Sequence, residues 1–468
     1  MKCPQITPGR EAFVGWQWSM NVYFLEDCLV RRRTLLGDYA LILCLATEYL
    51  LEIFVRKSFG IFLAKCGTFL EKQLCNDICR LILRIPLVSL SRKMVATIFV
   101  LVSPWVRASE LQVNGFPNEA EFFPIGVWMQ SPIHAANYKA IGINTFVGLW
   151  QGPTEQQLSA LARQNMYVIA EQNDVGLKSV NRRVIKAWMQ QDEPDNAQPV
   201  GLGLYGTCIP ATEVARRTQE IKAADPTRPV MINFGQGVAN EFWRGRGKCN
   251  GDYKYYDVAV NGADILSYDI YPVGSNTPQV KGKLEYVARG VTNLMMRATP
   301  EQSVWMALET TALDPARRPA PAEVRAEVWM ALIHGATGIL YFAHEFKPQF
   351  REDAIFRYPD IVDEVTRTNH LIKSLAPVLK SPSLSGKIRT ISKSPIATME
   401  KAYENKVYIF AVAMQNYPSA VRFMADDLHD SIVRVIGENR SLTVSQGIFE
   451  DQFDGYGVHL YEVEEQSR

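Results

Sequence analysis

The sequence predicts an α/β chain, a (β/α)8 barrel over residues 109–383 followed by a small all-β, antiparallel domain over 384–468. Three observations carry this expectation. From residue 120 onward, short apolar runs rich in β-formers alternate with stretches of helical spacing, the pattern of parallel βα units. Eight such runs occur before residue 346. Beyond residue 384 the helical spacing gives way to short alternating segments separated by polar turns.

The first four runs are FFPIGVWMQ (122–130), INTFVGLW (143–150), MYVIAEQ (166–172) and VIKAWMQQDEP (184–194). Between them SPIHAANYKAIG and TEQQLSALARQN repeat apolar residues at helical spacing. NDVGLKSVNRR is too short for a full helix, which keeps an open doubly wound sheet as the runner-up. The second four are PVMINFG (229–235), ADILSYDIYPV (263–273), SVWMALETT (303–311) and GILYFAHE (338–345). ATEVARRTQEIKAAD precedes the fifth, KLEYVARGVTNLMMRA the seventh and PAEVRAEVWMALIHG the eighth, and DIVDEVTRTNHLIKSLAPVL supplies an eighth helix. KVYIFAVAM, AVRFMADD, SIVRVIG, RSLTVSQG, IFEDQF and VHLYEVE are the strands of the terminal domain.

Composition narrows the function. With 50 Lys plus Arg against 49 Asp plus Glu, the 468-residue chain carries a formal charge of +1 and has no field to concentrate nucleic acid or anionic lipid. No nucleic-acid partner is expected, and any ligand must be recognised locally. Six of the eight cysteines precede residue 94, leaving Cys208 and Cys249. Residues 1–90 mix apolar stretches with Asp38, Glu48 and Glu52, and a charge in mid-bilayer costs about 2.5–3.5 kcal/mol, so no clean membrane span is expected there. Ser91-Arg92-Lys93, the apolar MVATIFVLVSPWV and Val106-Arg107-Ala108 then read as a secretory signal peptide over 91–108. Such a signal works at a chain start, so residues 1–90 read as a non-native extension or a poorly packed segment. The mature chain is expected to begin near Ser109 and to be secreted or periplasmic, where Cys208 and Cys249 could pair.

A barrel of this kind places its active site at the C-terminal ends of its strands. The fourth run ends in Gln191-Asp192-Glu193-Pro194-Asp195, and the seventh ends in Glu309 after an otherwise apolar stretch. The sixth brings Tyr268, Asp269 and Tyr271, and the first two bring Trp128, Gln130 and Trp150. Two carboxyls facing across a mouth divide acid and nucleophile roles when their environments push their pKa values apart. Glycoside hydrolysis uses such a pair, at ~5–5.5 Å for retention and ~6.5–9.5 Å for inversion.

On these residues, 122–345 resembles the large clan of retaining (β/α)8 glycoside hydrolases that includes cellulases, mannanases and β-galactosidases. ALIHGATGILYF, running into the eighth strand, is similar to that clan's barrel closure. The resemblance implies Glu193 as acid/base, Glu309 as nucleophile and Tyr271 (or Tyr268) bonded to the nucleophile. It also implies an oligo- or polysaccharide substrate. The residue before the acid/base is usually asparagine in the clan and here is Asp192, so sugar specificity does not carry over.

The remaining rim residues have plainer readings beside the functional ones. Trp128 and Trp150 either stack on sugar faces or plug the barrel. His344 and Glu345 end the eighth strand, and Glu345 is the alternative partner for Glu193 if Glu309 is buried and distant. His134 reads as a surface or capping residue. No H-E-x-x-H and no phosphate-binding glycine loop occur, so neither a metal nor a nucleotide cofactor is expected. The competing function is a carbohydrate-binding barrel that has lost catalysis.

Overall fold

The computed structural model describes residues 115–243, 252–313, 317–384, 386, 388–425 and 431–464. The expectations for residues 1–108 lie outside these. Eight parallel strands close into a barrel: β1 (Ile125–Trp128), β2 (Thr145–Val147), β3 (Tyr167–Glu171), β4 (Ile185–Met189), β5 (Val230–Phe234), β6 (Ile265–Asp269), β7 (Ser303–Glu309) and β8 (Gly338–Phe342). Pairing of Gly126 with both Leu340 of β8 and Thr145 of β2 shuts the ring and removes the open-sheet alternative.

Alternation along each strand makes two apolar layers, as the strand period of two requires. Val147, Ile169, Ala187, Met231, Trp305 and Leu340 fill the interior. Phe146, Val168, Trp188, Ile232, Leu266 and Met306 face the helices. Those helices are α1 (Ala135–Ala140), α2 (Glu155–Gln164), α3 (Asp174–Lys178), α4 (Ala211–Ala224), α5 (Tyr253–Ala259), α6 (Glu285–Met295), α7 (Pro321–Ile333), α8 (Pro359–Ser374) and α9 (Ala376–Lys380).

Local sequence explains the helix starts. Thr154 and Gln157 cap α2 reciprocally, with Thr154 N–H donating to Gln157 Oε1 at 2.9 Å and Gln157 N–H to Thr154 Oγ1 at 3.3 Å. The short third connection holds α3, five residues capped by Asn173, and a 3-10 turn over Arg182–Val184. Helix α5 was not legible in DYKYYDVAVNG, whose aromatic and β-branched residues favour strand; Asp252 caps it by accepting from Lys254 N–H at 3.0 Å.

The terminal domain is antiparallel. Its strands are β9 (Ser383–Leu384), β10 (Arg389–Ser392), β11 (Ile396–Tyr403), β12 (Lys406–Ala413), β13 (Ser419–Met424), β14 (Ser431–Val435), β15 (Arg440–Val444), β16 (Ile448–Phe453) and β17 (Val458–Glu464). One sheet runs β9-β11-β12-β17-β14-β15 and a second β10-β13-β16. Phe423, Phe449 and Tyr461 pack between the sheets. The three strands before Lys406 escaped sequence reading because IATMEKAY does not alternate. On the opposite face of the larger sheet, Phe410 stacks on Trp329 of α7 at 5.5 Å and 13°, fastening the domain to the barrel.

Candidate active site

The chain leaves β4 through a tightly bonded turn at the C-terminal rim. Buried Gln190 anchors it, its amide Nε2 donating to Val214 O and Gly262 O, both at 2.9 Å. Glu193 has φ +41°, a left-handed conformation that glutamate rarely adopts, and its N–H donates to Asn233 O at 2.9 Å. Met129 and Gln151, at the ends of β1 and β2, also have positive φ (46° and 53°). Strain of this kind collects at functional rims because the surrounding fold must enforce it.

Four carboxyls gather there. Asp192 Oδ1 accepts from Asn233 Nδ2 at 2.9 Å, and Glu193 Oε2 accepts from Asn196 Nδ2 at 3.1 Å. Asp195 accepts from Gly235 N–H at 2.9 Å and from the Tyr256 hydroxyl at 2.7 Å. Burial pushes the Asp195 carboxyl up to about 6, although the Gly235 and Tyr256 bonds oppose the rise. Gly235 leaves the space these acids use, since a Cβ on it would stand 3.0 Å from Glu193 Oε1.

Asp269 ends β6 as the fourth acid. Burial raises its pKa well above the usual carboxylate range, and the charges of Glu193, Asp192 and Asp195, in that order, raise it further. The Tyr271 hydroxyl donates to Asp269 Oδ2 at 3.4 Å and works against the rise. Burial and these neighbouring charges therefore favour the protonated form of Asp269.

Glu309 ends β7, but its side chain has a different setting. It is fully buried, its carboxyl accepting from Val273 N–H at 2.6 Å and Gly274 N–H at 2.8 Å, with buried Glu327 of α7 beside it. Burial pushes Glu309 up to about 8 against the lowering effect of the two amides. Glu327 also lies near Tyr268, and Tyr268 belongs to the helix-facing core, its ring seated against Gly290 of α6 and its hydroxyl donating to Val287 O. The Glu309 carboxyl thus lies with Glu327 under the loop that follows β6, near enough to Tyr271 for its charge to act there. Of the two tyrosines, Tyr271 is the one placed at the acid cluster, where it bonds Asp269.

The other expected residues divide similarly. Trp128 is a buried barrel residue, whereas Trp150 is 72% exposed on the rim. Gln130 is buried, accepting from the Tyr138 hydroxyl at 2.7 Å and donating to Glu352 O at 2.6 Å, with its Nε2 3.3 Å from His344 Nε2. Burial lowers His344 to about 4, so its ring is neutral. Glu345 is committed to Arg357 Nη1 at 2.8 Å and to the Tyr358 hydroxyl, and is an anchor rather than a spare carboxyl for Glu193. His134 lies 3.3 Å from Glu352 at the surface. Sequence reading missed Asn196, next to the QDEPD run that made Asp195 visible, and also Asn233 and Tyr256, which only the fold brings to the β4 acids.

Among the described residues, no group of three or more His, Cys, Asp and Glu side chains is arranged to hold a metal, and no helix is long and apolar enough to cross a membrane. Cys208 is disulfide-bonded, and Cys249 lies outside the described residues.

The family model for β-galactosidase (Glyco_hydro_42) matches residues 211–374, from α4 to the end of α8. No curated protein matches the chain significantly. Similar solved structures include an Anoxybacillus α-amylase, with 10% identity, 75% of this chain and 100% of that chain covered, and a TM-score of 0.47. Another is an α-amylase from Geobacillus thermoleovorans complexed with acarbose, with 10% identity, the same coverage and a TM-score of 0.45. A third is a glycoside hydrolase family 30 xylanase from Clostridium acetobutylicum, with 12% identity, 73% and 96% coverage and a TM-score of 0.40. The chain closes into a (β/α)8 barrel with acids gathered at its mouth, and over residues 211–374 it is similar to the β-galactosidase family of glycoside hydrolases.

Proposed function

We propose that the chain hydrolyses O-glycosidic bonds of oligo- or polysaccharides at the mouth formed by β4 and β6, with Asp269 as proton donor and Glu193 as nucleophile. The observation that carries this reading is the gathering of Asp192, Glu193 and Asp269 at the ends of β4 and β6, where burial first and then the charge of Glu193 raise the Asp269 pKa. Burial and like charge keep the proton on Asp269, which can pass it to the leaving glycosidic oxygen while Glu193 attacks the anomeric carbon. In the second step water attacks the glycosyl-enzyme and Asp269, now ionised, takes its proton. Asp192, turned toward Asn233, lies where a sugar hydroxyl would be bonded, and Trp150 offers an exposed ring to a sugar face.

A second reading keeps the roles that the clan resemblance implies, with Glu193 as acid/base and Glu309 as nucleophile. Its support is the place of Glu309 at the end of β7. It requires Glu309 to ionise and turn from the Val273 and Gly274 amides toward the mouth.

Azide rescue on an activated aryl β-galactoside separates the two. If Glu193 is the nucleophile, Glu193→Ala with azide yields a glycosyl azide of inverted configuration, and Asp269→Ala yields the retained one. If Glu193 is the acid/base, Glu193→Ala yields the retained azide. A wild type inactive on aryl galactosides, glucosides and mannosides would favour a binding barrel without catalysis. The disulfide at Cys208 supports a secreted or periplasmic location, where disulfides persist.

A further inference from the structure

The loop after β8 carries two exposed phenylalanines on a braced hairpin. Glu345 and Arg351 exchange backbone hydrogen bonds, at 2.9 Å from Glu345 N–H and 2.8 Å from Arg351 N–H. The buried Glu345 side chain is fixed by Arg357 and Tyr358. Between these two residues, Phe346 is 52% exposed and Phe350 63% exposed. Holding apolar rings in water works against folding, so a hairpin pinned by a buried carboxylate is not explained by its own stability.

The rings are also continuous with the acid cluster. Tyr271, which bonds Asp269, lies 5.2 Å from Phe342 between ring centroids, and Phe342 lies 4.8 Å from His344. His344 stacks on Phe350 at 5.7 Å and 25°, and Phe346 and Phe350 are 5.8 Å apart. His344 is held neutral, so it joins the row as an aromatic plane rather than a cation.

Resting on the glycosidase reading above, we infer that Phe346 and Phe350 form a distal sugar-binding subsite, reached along the aromatic row from Tyr271, that selects oligosaccharides over short glycosides. A pyranose ring has an apolar C–H face that covers an aromatic plane while its hydroxyls stay hydrated at the edge. Exposed rings at the end of such a row suit a sugar several units from the cleaved bond. The occupant is the substrate chain, because the row leads directly from the acids that would cut it.

The experiment uses Phe346→Ala and Phe350→Ala, singly and together, with an aryl β-galactoside and β-linked galacto-, gluco- and manno-oligosaccharides of increasing length. In the wild type, kcat/KM should rise with chain length on the series that is cleaved. In the double variant the ratio of kcat/KM for the longest oligosaccharide to that for the aryl glycoside should fall by roughly three- to tenfold per ring, mainly through KM. An unchanged ratio, or a wild type indifferent to chain length, overturns the subsite. Affinity electrophoresis in gels containing galactan, glucan or mannan reads the subsite without catalysis. Retardation of the wild type that the double variant loses supports it even where no glycoside is cleaved, an outcome that sinks only the glycosidase reading. No retardation in any of the three, with no length dependence, overturns it.

Discussion

Replacing Glu309 by glutamine separates a structural acid from a catalytic one. Burial moves this carboxyl from 4.5 to about 8. Between those values the unfolded chain releases the proton while the native chain keeps it. Stability contributed by the neutral group is therefore complete below pH 4.5 and lost as pH rises toward about 8, a decline of up to about 5 kcal/mol. Glutamine cannot ionise, so Glu309→Gln should lack that decline. Its amide group, however, presents N–H to a site where Val273 and Gly274 both donate, leaving one buried donor unmatched at a cost of about 1–3 kcal/mol. The variant should thus be less stable than the wild type near pH 5 and more stable above about pH 8, with crossing curves. Denaturant unfolding from pH 5 to 9 measures this, in a Glu327→Gln background because the Glu309 charge also raises Glu327. Parallel curves would refute the buried setting of Glu309. In the same samples, kcat/KM on an activated aryl glycoside should stay within about tenfold of wild type if Glu193 is the nucleophile, and fall by about ten-thousandfold or more if Glu309 is.

Three further outcomes are expected. Gly235→Ala puts a methyl 3.0 Å from Glu193 Oε1 at a backbone position that alanine tolerates, so kcat/KM should fall at least tenfold with little change in melting temperature; unchanged activity would remove Gly235 from the site. Trp329→Ala removes the ring that stacks on Phe410 and should cost about 3–5 kcal/mol, read by calorimetry, with the terminal domain more readily released by limited proteolysis. If residues 91–108 are an export signal, mass spectrometry of secreted native protein should find an N-terminus near Ser109, and peptides from residues 1–80 would count against it.

Much of the architecture was legible because parallel barrel strands announce themselves. Strands buried on both faces read as apolar runs such as VMINF and ILSYD, and amphipathic stretches such as ATEVARRTQEIKAA can only be the crossovers between them. The eight runs, their order and the acids at the ends of the fourth, sixth and seventh were all in the sequence. Chain order also placed Glu193 and Asp269 on the same rim, since Asp269 ends its strand and Glu193 follows the end of its own. What sequence could not supply is where a side chain at a strand end finally rests. Glu309 and Asp269 both end apolar strands and look alike in sequence, yet one accepts from the Val273 and Gly274 amides beside α7 and the other meets Glu193. That choice is made by backbone donors and by charges from distant segments, and a local pattern contains neither. The same holds for Glu345, drawn away by Arg357 and Tyr358, and for Asp195, held by Tyr256 from α5. Periodicity encodes which elements form because burial acts along each element; the protonation and partnership of an acid depend on what the fold packs around it, and only the tertiary structure decides that.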